Sequence, residues 1–127
     1  MKTMNRKILI IENDQEIRNI VEYILQEEKF ITLCTPEPES LAEILLFMPE
    51  VILIDEFINS RPGHRLCLRI KQEPLLRHIP VIILSTANDI EFIVSECKAN
   101  DHIRKPFDVE EMVQKIVRVL DNHSLAI

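Results

Sequence analysis

Three apolar runs dominate the chain: Ile8-Leu9-Ile10-Ile11, Val51-Ile52-Leu53-Ile54 and Val81-Ile82-Ile83-Leu84. None alternates with polar residues, so each suits a strand covered on both faces, as in a parallel sheet between helices. Two weaker strands are expected at Phe30–Cys34 and His102–Arg104. Between the strands the apolar positions take up a helical period. Ile17, Ile20, Val21, Ile24 and Leu25 form one helix face, with Asp14 placed as its N-cap and Glu16 adding negative charge to the first turn. Val109, Met112, Val113, Ile116 and Leu120 repeat that pattern behind Asp108. Leu41, Ile44, Leu45 and Met48 predict a shorter helix ended by Pro49. Leu66, Cys67 and Ile70 predict another that stops before Pro74, and Ile90, Ile93, Val94 and Cys97 predict the last. The tail from Asn122 to Ile127 is expected to fray.

Five strands alternating with five helices predict an α/β fold: a doubly wound, five-stranded parallel sheet between two helical layers, with strand order 2-1-3-4-5. The 127 residues suit one domain spanning 1–127, and no repeat or linker interrupts it.

Composition narrows the function more than the fold. A hydrophobic fraction of 46% and a charged fraction of 28% fit a soluble globular chain. A net charge of −6 disfavours direct nucleic-acid binding, which needs a basic stripe. The first apolar run is four residues long and meets Glu12, too short for a signal or membrane segment. A cytoplasmic location without a membrane partner is expected. Cys34, Cys67 and Cys97 are scattered and form no CxxC, so they read as small buried hydrophobes in a reducing compartment. The lone Gly63 excludes glycine-rich dinucleotide and P-loop sites. The acidic Glu12-Asn13-Asp14 would repel a flavin phosphate.

Ligands of open parallel sheets bind beyond the carboxyl ends of the strands. There the chain carries Glu12, Asn13 and Asp14 after the first strand, Asp55 and Glu56 after the third, Ser85 and Thr86 after the fourth, and Lys105-Pro106 after the fifth. A carboxylate can attack a phosphoryl group. Carboxylate and amide oxygens suit Mg²⁺. A hydroxyl and an ammonium can hold phosphoryl oxygens. Taken singly, each of these is an ordinary cap, turn former or solvated side chain; the constellation is what points to phosphoryl chemistry.

At this point the chain resembles receiver domains of two-component response regulators from Lys7 to about Leu120. Lys7–Ile17 resembles the family's acidic first-strand motif, Val51-Ile52-Leu53-Ile54-Asp55 its phosphorylation strand and Gly63 the glycine of the following loop. Ile79–Ser85 resembles the strand ending in Ser or Thr, and Lys105-Pro106-Phe107 resembles the family's Lys-Pro-Phe. The resemblance implies a flavodoxin-like receiver fold and a signalling phosphoacceptor rather than an enzyme. It makes Asp55 the phosphoacceptor, with Ser85 and Lys105 on the phosphoryl oxygens. Mg²⁺ would be held by Glu12, Asn13, Asp55 and the Phe57 backbone carbonyl. Ser85 and His102 would occupy the switch positions, and the Lys105–Pro106 bond would be cis.

The implied partners are a histidine kinase or histidine phosphotransfer protein, and a downstream protein on the face of helix four, strand five and helix five. A weak homodimer is left open. Four positions depart from the family. Asn13 replaces an acid, which lowers the expected Mg²⁺ affinity on the order of tenfold. Phe57–Pro62 replaces the usual proline-containing loop, Thr86 a small residue and His102 an aromatic. The departures at Asn13 and Thr86 motivate an alternative: a degenerate receiver serving as a phosphorylation-independent interaction module. A haloacid-dehalogenase-like phosphatase would need Asp where Phe57 stands.

Overall fold

The computed structural model describes residues 5–36, 38, 40–58, 61–86 and 88–125. Its main sheet comprises β1 (Lys7–Ile11), β2 (Ile31–Thr35), β3 (Val51–Asp55), β6 (Val81–Ser85) and β7 (Asp101–Arg104). Every neighbouring pair is parallel, in the order β2-β1-β3-β6-β7, which is the expected 2-1-3-4-5. The helices are α1 (Gln15–Glu27), α2 (Leu41–Phe47), α3 (Gly63–Gln72), α4 (Ile90–Cys97) and α5 (Val109–Leu125). A short antiparallel ribbon, β4 (Phe57–Ile58) with β5 (Arg61–Pro62), stands apart from the sheet. Two-residue strands are too short to announce themselves by period.

The apolar runs are continuous because alternate residues feed two cores. Ile8, Ile10, Val51, Leu53, Ile82 and Leu84 pack with Val21 and Leu25 of α1 and with Met112 and Ile116 of α5. Leu9, Ile11, Ile52, Ile54, Val81 and Ile83 pack on the other face with Ile44 of α2, Cys67 and Ile70 of α3, and Ile90 and Cys97 of α4. Burying one such branched side chain contributes roughly 1.5–3 kcal/mol, so neither layer can be stripped away.

The expected caps form. Asp14 Oδ1 accepts the Ile17 N–H at 3.1 Å, and Asp108 Oδ1 accepts those of Glu110 and Glu111 at 2.8 and 3.2 Å. Some expected core positions do not bury. Ile20 lies at the margin of the α1 stripe and is 53% exposed, and Val109 opens α5 at 48% exposed, ahead of buried Met112. Met48 is exposed because it leaves α2 as a left-handed cap at φ 56° before Pro49. At the other end, α5 continues to Leu125 rather than stopping near Asn122, while Ala126 and Ile127 lie outside the described residues.

The end of the sheet away from the catalytic-type residues is clamped. Lys71 Nζ donates to the Ile79 carbonyl at 2.8 Å and to Asn100 Oδ1 at 2.9 Å. Asn100 Oδ1 accepts the Val81 N–H at 2.9 Å, and the Asn100 N–H returns to the Val81 carbonyl at 2.7 Å. Burial draws the Lys71 ammonium below the ordinary lysine value, so its three acceptors replace lost water. No helix among the described residues is long and apolar enough to cross a membrane.

Candidate functional site

Three strand ends meet around one ammonium. Glu12 follows β1 and is buried; its Oε2 faces the Asp14 N–H at 3.5 Å, and its carbonyl accepts Arg18 Nη1 at 3.1 Å. Asp55 is the last residue of β3. Lys105 follows β7, its N–H bonded to the Ser85 carbonyl at 2.9 Å, and the Lys105–Pro106 bond is cis as expected. Lys105 Nζ then lies 2.6 Å from Asp55 Oδ1 and 2.9 Å from Glu12 Oε1. Burial pushes the Glu12 carboxyl above its ordinary value, with Lys105 pulling it down and neighbouring Asp55 adding to the rise. Burial acts on the Lys105 ammonium in the opposite sense, but the two carboxylates outweigh it and hold its pKa above the ordinary lysine value. Two acids thus share one cation at a point where each would be costly alone.

The other expected residues stand around this centre to different degrees. Ser85 ends β6 and is buried, one residue beyond the Asp55–Leu84 register pair. Phe57 is in β4, paired with Pro62, immediately past the acidic centre. Asn13 and Thr86 are exposed. His102 is half-buried on β7, its carbonyl accepting Lys115 Nζ at 2.6 Å and its Nδ1 3.9 Å from Asp101 Oδ1. The structure therefore brings Glu12, Asp55 and Lys105 into direct contact, places Ser85 at the adjoining strand end, and leaves the Asn13 side chain outside the buried cluster. The loop positions Asn59 and Ser60, part of the Phe57–Pro62 departure, lie outside the described residues.

Sequence reading missed the fastening of the segment behind Asp55. Glu56 is buried; its N–H donates to the Leu84 carbonyl at 2.9 Å, and its carbonyl accepts the Gly63 N–H. Its Oε1 lies 2.8 Å from His64 Nδ1, whereas Oε2 is buried without a partner among the described residues. A Cβ at Gly63 would collide with the Asp55 backbone carbonyl, so here absence of a side chain lets α3 begin against the strand end. A signal for Glu56 existed: it continues the alternation of Ile52 and Ile54 and so faces the α3 layer, opposite to Asp55.

The chain matches the response regulator receiver domain model over residues 8–117. It is 31% identical over 120 residues to the phosphate regulon transcriptional regulatory protein PhoB of Escherichia coli, a match covering 92% of this chain and 52% of that protein. The chain thus spans about half the length of the curated relatives it matches. Among solved structures, the receiver domain of NtrX from Brucella abortus aligns with a TM-score of 0.80 at 28% identity, covering 90% of this chain and 98% of that one. A CheY-like receiver domain protein from Methanospirillum hungatei shares the fold, with a TM-score of 0.85 at 21% identity, covering 97% of this chain and 99% of that one. With the parallel order of the sheet and the acid–lysine centre at its carboxyl edge, these likenesses establish that the chain belongs to the receiver domain family of two-component response regulators.

Proposed function

We propose that residues 1–127 act as a single phosphoacceptor domain in which Asp55 takes a phosphoryl group from a histidine kinase or histidine phosphotransfer protein. One Asp55 oxygen attacks phosphorus, the bond from phosphorus to the donor's ring nitrogen breaks, and the imidazole leaves an acyl phosphate behind. The observation that carries this reading is the Lys105 ammonium held by Asp55 and Glu12 together. It puts a fixed positive charge beside the nucleophile, where negative charge gathers on the transferring group. Ser85, at the adjoining strand end, is the hydroxyl for another phosphoryl oxygen.

The donor chemistry fits Mg²⁺. Carboxylate oxygens are its preferred ligands, and the buried Glu12 carboxylate close to Asp55 supports such a site. Glu12, Asp55, the Phe57 carbonyl and the Asn13 amide are the groups assigned to hold it, with weakened affinity because Asn13 is neutral. When bound, the ion supplies charge neutralisation to the phosphoryl oxygens. Ser85 and His102 are assigned as switch residues. The response is read by a protein partner on the face of α4, β7 and α5, where Phe92 and Val109 are exposed. In this reading the compartment is the cytoplasm, and the only chemistry is the domain's own phosphorylation and dephosphorylation.

The test is intact mass after incubation with Mg²⁺ and acetyl phosphate, beside an Asp55→Asn control. A single phosphoryl adduct that requires Mg²⁺ and is missing from the control is expected. Without an adduct at millimolar Mg²⁺ the reading fails, and the domain would be sought as an interaction module.

A further inference from the structure

Cys67 faces inward from the middle of α3, and Cys97 closes α4. Both are buried, 0% and 1% exposed, in the core shared by these two helices. Although 30 positions separate them in sequence, the packing of α3 on α4 brings them together in one core. Cys67 Sγ also lies 3.4 Å from the Cys97 carbonyl, and Cys97 Sγ lies 3.9 Å from that of Val94. Cys67 thus sets its sulfur against the backbone of Cys97, the proximity from which a disulfide between two helices can form. The expected burial therefore holds for Cys67 and Cys97, whereas Cys34 is half-buried and its thiol donates to Glu22 Oε2 at 3.3 Å.

We propose that Cys67 and Cys97 form a modification site, which an oxidant of the peroxide class converts to an intramolecular disulfide tying α3 to α4.

The two sulfurs are not equivalent. The neighbouring Cys67 thiol draws the Cys97 thiol down; burial opposes this, and the Ala99 N–H and nearby His64 assist it. The same proximity, together with burial, pushes the Cys67 thiol up. Cys97 is thus the sulfur that ionises first and acts as nucleophile. Its thiolate attacks one peroxide oxygen, the O–O bond breaks and hydroxide leaves, taking up the proton Cys97 released. Cys97 is now a sulfenic acid. The Cys67 sulfur attacks the Cys97 sulfur, the S–O bond breaks, and the departing hydroxide combines with the Cys67 proton. Two thiols and one peroxide become one disulfide and two waters. Both sulfurs are shielded, so the reaction is gated by separation of α3 from α4 and is slow beside that of an exposed thiolate. The bond would pin the C-terminal end of α4, whose outer side carries exposed Phe92. This inference does not depend on phosphoryl transfer to Asp55.

The experiment exposes the full, folded chain to hydrogen peroxide, alkylates under denaturing conditions, and reads intact mass and peptide maps with and without dithiothreitol. Loss of two hydrogens, reversed by dithiothreitol, with a peptide joining Cys67 to Cys97 and with Cys34 alkylated, is the expected result. Cys67→Ala should not form the link, and a dimedone adduct should report the sulfenic acid on Cys97. Cys34→Ser keeps the pair intact and must still lose two hydrogens, so the test stands even where Cys67→Ala does not fold by circular dichroism. Recovery of all three thiols under conditions that oxidise the unfolded chain would overturn the proposal. So would a link through Cys34, or overoxidation of a single cysteine with no link.

Discussion

Asp55 and Glu56 are neighbours in sequence and both acids, yet the strand alternation sends them into different environments. Asp55 turns toward the sheet edge and meets the Lys105 ammonium, which Glu12 shares. Glu56 turns toward the α3 layer and meets His64, its second oxygen buried without a partner among the described residues. The first arrangement leaves a nucleophile next to a cation and open to a reactant. The second serves as an anchor: its backbone carbonyl and side chain hold the start of α3 at Gly63 and His64, while its N–H holds the Leu84 carbonyl of β6. One acid is available for chemistry because its neighbour fixes the chain behind it.

The largest effect should come from the glycine between the two regions. Gly63→Ala drives a methyl group into the Asp55 backbone carbonyl, which cannot rotate away. A loss of about 3 kcal/mol or more is expected in urea denaturation, together with reduced phosphoryl uptake, because the displaced atom belongs to the acceptor residue. A fully stable Gly63→Ala protein would show that α3 can back away from β3 at little cost.

Next in size is His64→Ala, which strips the buried Glu56 carboxylate of its side-chain partner. A loss of about 2 kcal/mol is expected. Adding Glu56→Leu to it should recover part of that loss, since removing both partners costs less than orphaning one. A double-mutant cycle with no coupling would remove the anchoring half of the comparison.

On the Asp55 side, Lys105→Met leaves Glu12 and Asp55 facing each other without their shared cation. Glu12, already raised by burial, can take up a proton there, which holds the expected loss to about 1 kcal/mol. Millimolar Mg²⁺ should raise the thermal midpoint of this variant more than that of the native chain, because the carboxylates lack any other cation. Equal shifts in both proteins would argue that the two acids do not take the metal.

The smallest effect concerns reactivity alone. Burial, and then the Glu22 carboxylate, push the Cys34 thiol up to about 12, so the thiolate gains only as pH climbs toward that value. At pH ~8, iodoacetamide should label Cys34 in the folded chain more than a hundredfold more slowly than in the unfolded one. Comparable rates would mean that β2 opens freely at the sheet edge.

The legible parts of the molecule were those where one physical demand rules a whole segment. Strands covered on both faces must be apolar throughout, so β1, β3 and β6 stood out, and the parallel order followed from the intervening helices. The strand-end rule then found Glu12, Asp55 and Lys105 without any knowledge of their distances. What escaped depended on how layers meet. The alternation that makes Ile52 and Ile54 inward was visible, but only the start of α3 at Gly63 put His64 opposite Glu56. Cys67 and Cys97 each lay on a readable apolar stripe; their contact needed the packing of α3 on α4. The exposure of Ile20 and Val109 shows the converse, because an apolar period reports a face and not how far a neighbouring layer reaches over it.

The Lys71–Asn100 clamp gives the sheet a fixed floor. Its bonds fasten the loop before β6 and the loop before β7 at the end opposite Asp55. The buried Val81 amide, held by Asn100 Oδ1, is therefore expected to exchange slowly. Under the proposed switch, the surface at α4 would change while this floor keeps β6 and β7 in register.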